Sequence, residues 1–377
     1  MHLETIAVHA GHAPDPVTGA VTPAIHLSTT FERAEDGTLP GGYLYTRNDN
    51  PNRRALEQCL AALEAGADAA CFSSGSAAAM ALCQALESGA RVVAPNDAYY
   101  GTVKLMREVF GRWGLSLALV DMTDLDAVRA TLADGARLLW IETPSNPLVR
   151  VVDVAALAQM GRDAGAQVVV DNTWATPVLQ RPLELGAHLS LHSTTKYLGG
   201  HSDVLGGALV TAAADPLWER VRAVQATGGA VAAPFDCWLT LRGVRTLPWR
   251  VHAQTGNALR IAQALEAHPN VSVVHYPGLA SNAGHAIAQR QMRAPGAMLS
   301  FEVRGGRDPA LAAMARLQII TRATSLGGTE SLIEHRASVE PPESRVPAGL
   351  LRLSVGLEHA DDLVDDLRQA LDAAGSR

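Results

Sequence analysis

Lysine is almost missing from this chain. Only Lys104 and Lys196 occur, and the remaining 29 of the 31 basic residues are arginine. With a net charge of −7 and no basic cluster, nucleic-acid binding and attachment to an anionic membrane surface are not expected. Cysteine is scarce too. Cys59, Cys71, Cys83 and Cys237 form no C-x-x-C pair, so neither a zinc site nor a disulfide framework is expected, and no metal is assigned. A reducing cytoplasm is the expected compartment. No apolar run approaches the length that spans a bilayer. The segment Met1-His-Leu-Glu-Thr5 lacks the basic-then-apolar pattern of a secretion signal. Aromatic residues make up only 5% of the chain, leaving alanine and glycine to fill much of the interior.

The near-absence of lysine draws attention to where it is kept. Arginine stays protonated and cannot form an imine, whereas a lysine that loses its proton can attack a carbonyl. Lys196 sits in Leu189-Ser-Leu-His-Ser-Thr-Thr-Lys196-Tyr-Leu-Gly-Gly-His-Ser-Asp203. The apolar start reads as the end of a buried strand, and the hydroxyls with the paired glycines read as a tight polar loop. An amine among hydroxyl donors suited to a phosphate points to a Schiff base with pyridoxal phosphate. A surface lysine in a Ser/Thr loop would have the same composition.

The length of 377 residues and 47% apolar content give ample core for two or more globular domains. Residues 1–50 carry many Pro and Gly and no strong periodicity, and read as an extended arm packing on a neighbouring subunit. Residues 51–235 show a βαβ rhythm, and so a mostly parallel sheet covered by helices. Residues 236–377 read as a smaller α+β domain. Its strands are expected at 271–275, 298–303, 318–322 and 350–354, and a loop at 341–347 is placed at the mouth of the site.

Ligands in such sheets gather at the strands' C-terminal ends. Asp171 ends the run Gln167-Val-Val-Val and costs desolvation there unless it meets a cation or caps the next segment. Ser74, Gly75 and Ser76 join a strand to a helix whose free amides suit a phosphate, although Ser-Gly turns also cap ordinary helices. Tyr99 follows a strand and could stack on a planar ring or lie in a surface turn. Arg352 stands inside an alternating apolar strand, where an arginine is expensive unless it binds an anion such as a carboxylate or joins an ion pair.

Taken together, Tyr45-Thr-Arg47, Ser74-Gly75, Asp97-Ala-Tyr99, Glu142-Thr-Pro-Ser-Asn-Pro147, Asp171-Asn-Thr, Ser193-Thr-Thr-Lys196-Tyr and Ser325-Leu-Gly-Gly resemble, in order and over almost the whole chain, the Cys/Met-metabolism family of pyridoxal-phosphate enzymes. That family includes cystathionine γ-synthases, γ-lyases and β-lyases and methionine γ-lyases. The resemblance implies fold type I, the aspartate-aminotransferase-like fold, and transsulfuration by γ-elimination or γ-replacement, with β-elimination as the alternative. A protein that binds the cofactor without turnover is the reading outside enzymes. The implied roles are catalytic for Lys196, Asp171, Tyr99 and Tyr45. Lys196 carries the Schiff base, Asp171 faces the pyridine nitrogen and Tyr99 stacks on the ring. Ser74, Gly75, Ser76, Ser193 and Thr195 hold the phosphate, joined by Tyr45 and Arg47 from a second subunit. Arg352, Asn146 and Ser325 bind the substrate carboxylate. A homodimer at minimum, and a tetramer beyond it, is implied.

The chain departs from the family pattern in places. Ser76 stands where methionine is common, Tyr100 where glycine is common, His26 for a tyrosine and Asn52 for a threonine. Thr324 stands where members that handle cystathionine often carry glutamate, and Gly101 where methionine γ-lyases carry cysteine. Lys104 lies near Tyr99 and is either a solvated helix residue or a contact for an anionic group at the far end of the substrate.

Overall fold

The computed structural model describes residues 1–340, 344 and 346–375. Most of the loop expected at 341–347 therefore lies outside the described residues. The chain divides into two compact units: residues 1–96, 101–141 and 154–248, and residues 97–100, 142–153 and 249–377.

The first unit is built on seven strands: β1 (Asp68–Phe72), β2 (Arg91–Pro95), β3 (Ser116–Val120), β4 (Leu138–Glu142), β5 (Gln167–Asp171), β6 (Leu189–His192) and β7 (Gly207–Thr211). Their order is β1-β7-β6-β5-β4-β2-β3. β7 runs antiparallel to both β1 and β6, while β2 pairs in parallel with β3 and β4, and β5 with β6. This is the mostly parallel sheet that the βαβ rhythm predicts. Leu138, Leu139, Trp140 and Ile141 of β4, and Val168, Val169 and Val170 of β5, are fully buried, which is why these strands read as continuous apolar runs. The helix Pro51–Glu64 is opened by Asn50, whose side chain accepts from Asn52 N at 2.9 Å, with Pro51 in the first turn. It buries Leu56, Leu60 and Leu63 at helical spacing.

One correction falls in the arm. Leu3–His9 is a helix that buries Leu3 and Ala7. Four apolar positions in seven residues are too short a window for periodicity to be legible. Beyond it the arm is extended and exposed, with Val17 90% and Leu27 69% accessible.

The second unit contains a sheet of β8 (Val271–His275), β9 (Met298–Val303), β10 (Thr321–Arg322), β11 (Leu332–His335) and β12 (Leu350–Ser354), in the order β10-β11-β12-β9-β8. The strand expected over 318–322 is only two residues long. The amides of Gln318, Ile319 and Ile320 donate instead to the Asp366 carboxylate, at 2.8, 2.9 and 3.0 Å. Those amides are thereby taken from the sheet ladder. β11 was not expected at all. It pairs Glu334 with Arg352 across an antiparallel register, and a charged residue in a four-residue strand hides the alternation that marks one.

Candidate active site

In the first unit, the turn after β6 carries Lys196. Ser193 N donates to Thr173 Oγ1 at 2.9 Å, and Lys196 N donates to Ser193 O at 3.2 Å. The Thr195 hydroxyl accepts from Gly206 N at 3.0 Å and donates to Gly206 O at 3.2 Å. Thr195 thus ties the turn to the start of β7 as well as lining it. Ser193 is packed against Gly75: a Cβ at position 75 would come within 2.9 Å of the Ser193 Cβ. Glycine at 75 therefore lets the two turns approach.

Ser74 caps the helix Gly75–Ala85. Its hydroxyl accepts from Ala77 N at 3.0 Å and its carbonyl from Ala78 N at 3.0 Å. The Gly75 and Ser76 amides have no acceptor among the described residues. A helix start with two free amides beside a hydroxyl-rich turn has the donor chemistry a phosphate needs.

Asp171 ends β5, opposite Leu191 on the parallel neighbour β6. Its Oδ1 accepts from Thr173 N at 3.0 Å. Burial pushes its carboxyl above the usual range, against the opposing hydrogen bonds from Thr173 and the field of His192. No lysine or arginine forms an ion pair with it among the described residues. A desolvated carboxylate without a cation is what a protonated ring nitrogen would complete.

Beneath this lies a group that sequence reasoning missed. Glu64 is fully buried, and its Oε1 accepts from Asn172 Nδ2 (2.9 Å) and Ser190 Oγ (2.9 Å) and meets His192 Nε2 at 2.6 Å. It fixes the residue after Asp171 and the residue before Ser193 at once. The only sequence signal was a glutamate at the end of an amphipathic helix, which normally faces solvent.

Tyr45 and Arg47 are exposed on the arm. Arg47 lies 5.8 Å from the centre of the Tyr45 ring, and its Nη1 donates to Ala226 O at 2.5 Å.

In the second unit, Glu142 organises two loops. Its Oε2 accepts from Tyr99 N at 2.7 Å and its Oε1 from Asn146 N at 3.2 Å. Tyr99 keeps 46% of its surface exposed. Arg352 Nη1 donates to Asn146 Oδ1 at 3.1 Å, and Nη2 donates to Ser325 O at 3.2 Å and to Glu334 Oε2 at 2.9 Å. Asn146, Ser325 and Arg352 are thus brought together. Ser325 adopts a left-handed φ of 86°, directing its carbonyl in a way few non-glycine residues do. Burial, reinforced by the nearby Arg336, lowers the Arg352 guanidinium to about 10, so it is still charged at neutral pH. Glu334 and its partner Arg336 were not singled out from the sequence.

A mostly parallel sheet with a lysine turn, an acid at the neighbouring strand end and an amide-rich helix start defines a pyridoxal-phosphate enzyme of fold type I. The comparisons bear this out. The family model "Cys/Met metabolism PLP-dependent enzyme" matches residues 4–372, and the chain belongs to that family. It is 50% identical to the cystathionine gamma-synthase of Mycobacterium tuberculosis over 373 residues, covering 97% of this chain and 96% of that one. It is 43% identical to the cystathionine gamma-lyase of Dictyostelium discoideum over 379 residues, covering 98% and 97%. Among solved structures, cystathionine gamma synthase from Xanthomonas oryzae pv. oryzae in complex with cystathionine superposes with a TM-score of 0.96 at 42% identity, covering 100% of this chain and 99% of that one. The residues present fit the cofactor, given Asp171 without a cation and the two free amides at the start of the Gly75–Ala85 helix.

Proposed function

We propose that this chain is a γ-replacement enzyme of the cystathionine γ-synthase type, joining an activated homoserine to cysteine. Its 50% identity to the Mycobacterium tuberculosis γ-synthase carries this choice. The second reading, γ-elimination from cystathionine, draws on the similarity to the Dictyostelium γ-lyase. β-Elimination is the remaining outcome.

Bound pyridoxal phosphate supplies an aldehyde for the substrate amine and a ring that accepts electrons. Lys196 would hold that aldehyde and move protons between the substrate carbons. Asp171 would hold the ring nitrogen protonated, and its desolvation strengthens that pairing. The Gly75 and Ser76 amides, with Ser74, Ser193 and Thr195, would take the phosphate. Tyr99 would lie on the ring face. Arg352, oriented by Asn146 and Ser325, would take the substrate carboxylate.

The exposed arm supports a dimer in which Tyr45 and Arg47 serve a second copy. Apolar Val17, Val21 and Leu27 at 66–90% exposure would otherwise sit in water. Further pairing into a tetramer, and a cytoplasmic location, belong to the same proposal; among the described residues no helix is long and apolar enough to cross a membrane.

One product assay tests the choice. Purified enzyme is incubated with cystathionine alone and with O-succinyl- or O-acetyl-homoserine plus cysteine. Cystathionine formation supports the γ-synthase. 2-Oxobutanoate from cystathionine with no synthesis would move the assignment to γ-lyase, and pyruvate to β-lyase.

A further inference from the structure

Arg352 is the end of a chain of alternating charges. Its Nη2 meets Glu334 Oε2 at 2.9 Å; the same Glu334 oxygen binds Arg336 Nη1; and Arg336 Nη2 binds Glu340. All four side chains are nearly enclosed, with 5% of Arg352, 9% of Arg336 and 11% of each glutamate accessible. The frame is rigid. Glu334 faces Arg352 across the β11–β12 register, and Arg336 follows two residues later in a 3-10 turn. Arg352 uses three of its five N–H groups on Asn146, Ser325 and Glu334, which leaves two for a ligand.

A carboxylate arriving at Arg352 therefore meets a guanidinium already shared with an anion. How strongly Glu334 holds Arg352 depends on how far its charge is drawn off by Arg336. Arg336 in turn is drawn off by Glu340. In an enclosed setting such neighbouring charges couple strongly.

We propose that Glu334 and Arg336 are positioning residues that set the affinity of Arg352 for the substrate α-carboxylate: Glu334 orients the guanidinium and competes for it, and Arg336 relieves that competition. This rests on the reading of Arg352 as the carboxylate site. It makes a prediction of opposite signs that a scaffold would not. Glu334→Gln keeps an oxygen acceptor for Arg352 but removes the competing charge, so carboxylate binding tightens. Arg336→Gln leaves the whole Glu334 charge on Arg352, so carboxylate binding weakens. Glu340→Gln lets Arg336 pull harder on Glu334 and tightens binding slightly.

The test uses holoenzyme and compares equilibrium binding of L-alanine with that of L-alaninamide, which lacks the carboxylate. The acid-to-amide preference isolates the contact with Arg352. The expected shifts are roughly threefold to tenfold upward for Glu334→Gln and downward for Arg336→Gln, the scale of a screened charge at close range. Circular dichroism and thermal melting check folding, and Glu340→Gln carries the test if either inner variant does not fold. Equal-signed shifts, or unchanged preferences in variants while Arg352→Gln abolishes the preference, overturn the proposal and leave the carboxylate site standing. A wild-type preference near one that Arg352→Gln does not change overturns the carboxylate assignment, and this proposal with it.

Discussion

The turn around Lys196 and the strand pair around Arg352 both place polar groups inside apolar sheets, but they are balanced in different ways. Around Arg352 the protein supplies its own counter-charge, with the Glu334 carboxylate paired to the guanidinium and shared with Arg336. In the turn region of Lys196, Asp171 has no lysine or arginine partner among the described residues; Thr173 donates to it, and burial raises its carboxyl. The first is tuned from within. On the proposed function, the second is completed by the bound cofactor. Binding energy should accordingly concentrate on the Asp171 side, with selectivity adjusted on the Arg352 side.

Removing the amine is the strongest way to break the contrast. Lys196→Ala is expected to keep its fold by circular dichroism while keto-acid release or cystathionine synthesis falls by about 10³-fold or more, the scale of losing the group proposed to move the protons. Loss of the imine absorbance accompanies it. An imine that persists would move the assignment to Lys104.

Asp171→Asn separates ligand from protein. Turnover of the loaded enzyme should fall by about 10²-fold or more, because an amide cannot hold a ring cation. The cofactor-free variant should melt about 1–3 °C higher than the cofactor-free wild type at neutral pH. A carboxyl raised by burial contributes fully to stability below its unfolded value and loses that contribution as pH rises through its folded value. The melting gap should therefore close toward pH 4 and open above it. A gap that is independent of pH would mean that Asp171 is not desolvated as described.

Arg352→Gln tests the self-balanced side. Its expected effect is a rise of about 10²-fold in KM with a smaller change in kcat, the scale of losing a charge-assisted contact to a carboxylate. It also takes one of two cations from Glu334 and leaves Arg336 to hold that carboxylate, so a melting temperature lower by a few degrees is expected.

The legible parts of this molecule were those where one residue type carries the signal alone. The valine run before Asp171 and the apolar run of β4 mark parallel strands because both faces are buried. The Ser74–Gly75 turn marks a strand-to-helix junction because glycine and a capping hydroxyl are demanded there. What stayed hidden depends on pairs far apart in sequence. Glu64 looks like a solvent-facing helix residue until Asn172, Ser190 and His192 close around it. Glu334 makes β11 look polar until Arg352 stands opposite it. Glu142 reads as the end of an apolar strand, and only the fold shows its two oxygens holding the Tyr99 and Asn146 amides.

Lys104, the other lysine of the chain, is the smallest test. It closes the short helix Tyr100–Lys104 and keeps 52% of its side chain in solvent. Its Nζ lies 3.9 Å from Glu108, one helical turn on. An exposed pair of this kind contributes about 0.5 kcal/mol or less, and salt screens it. Lys104→Ala should therefore leave the melting temperature and kcat unchanged, and alter KM for O-succinyl-homoserine by less than about twofold. A rise of about fivefold or more for succinyl- or phosphoryl-homoserine, absent with O-acetyl-homoserine and suppressed by salt, would instead assign the far anionic group of the substrate to this lysine.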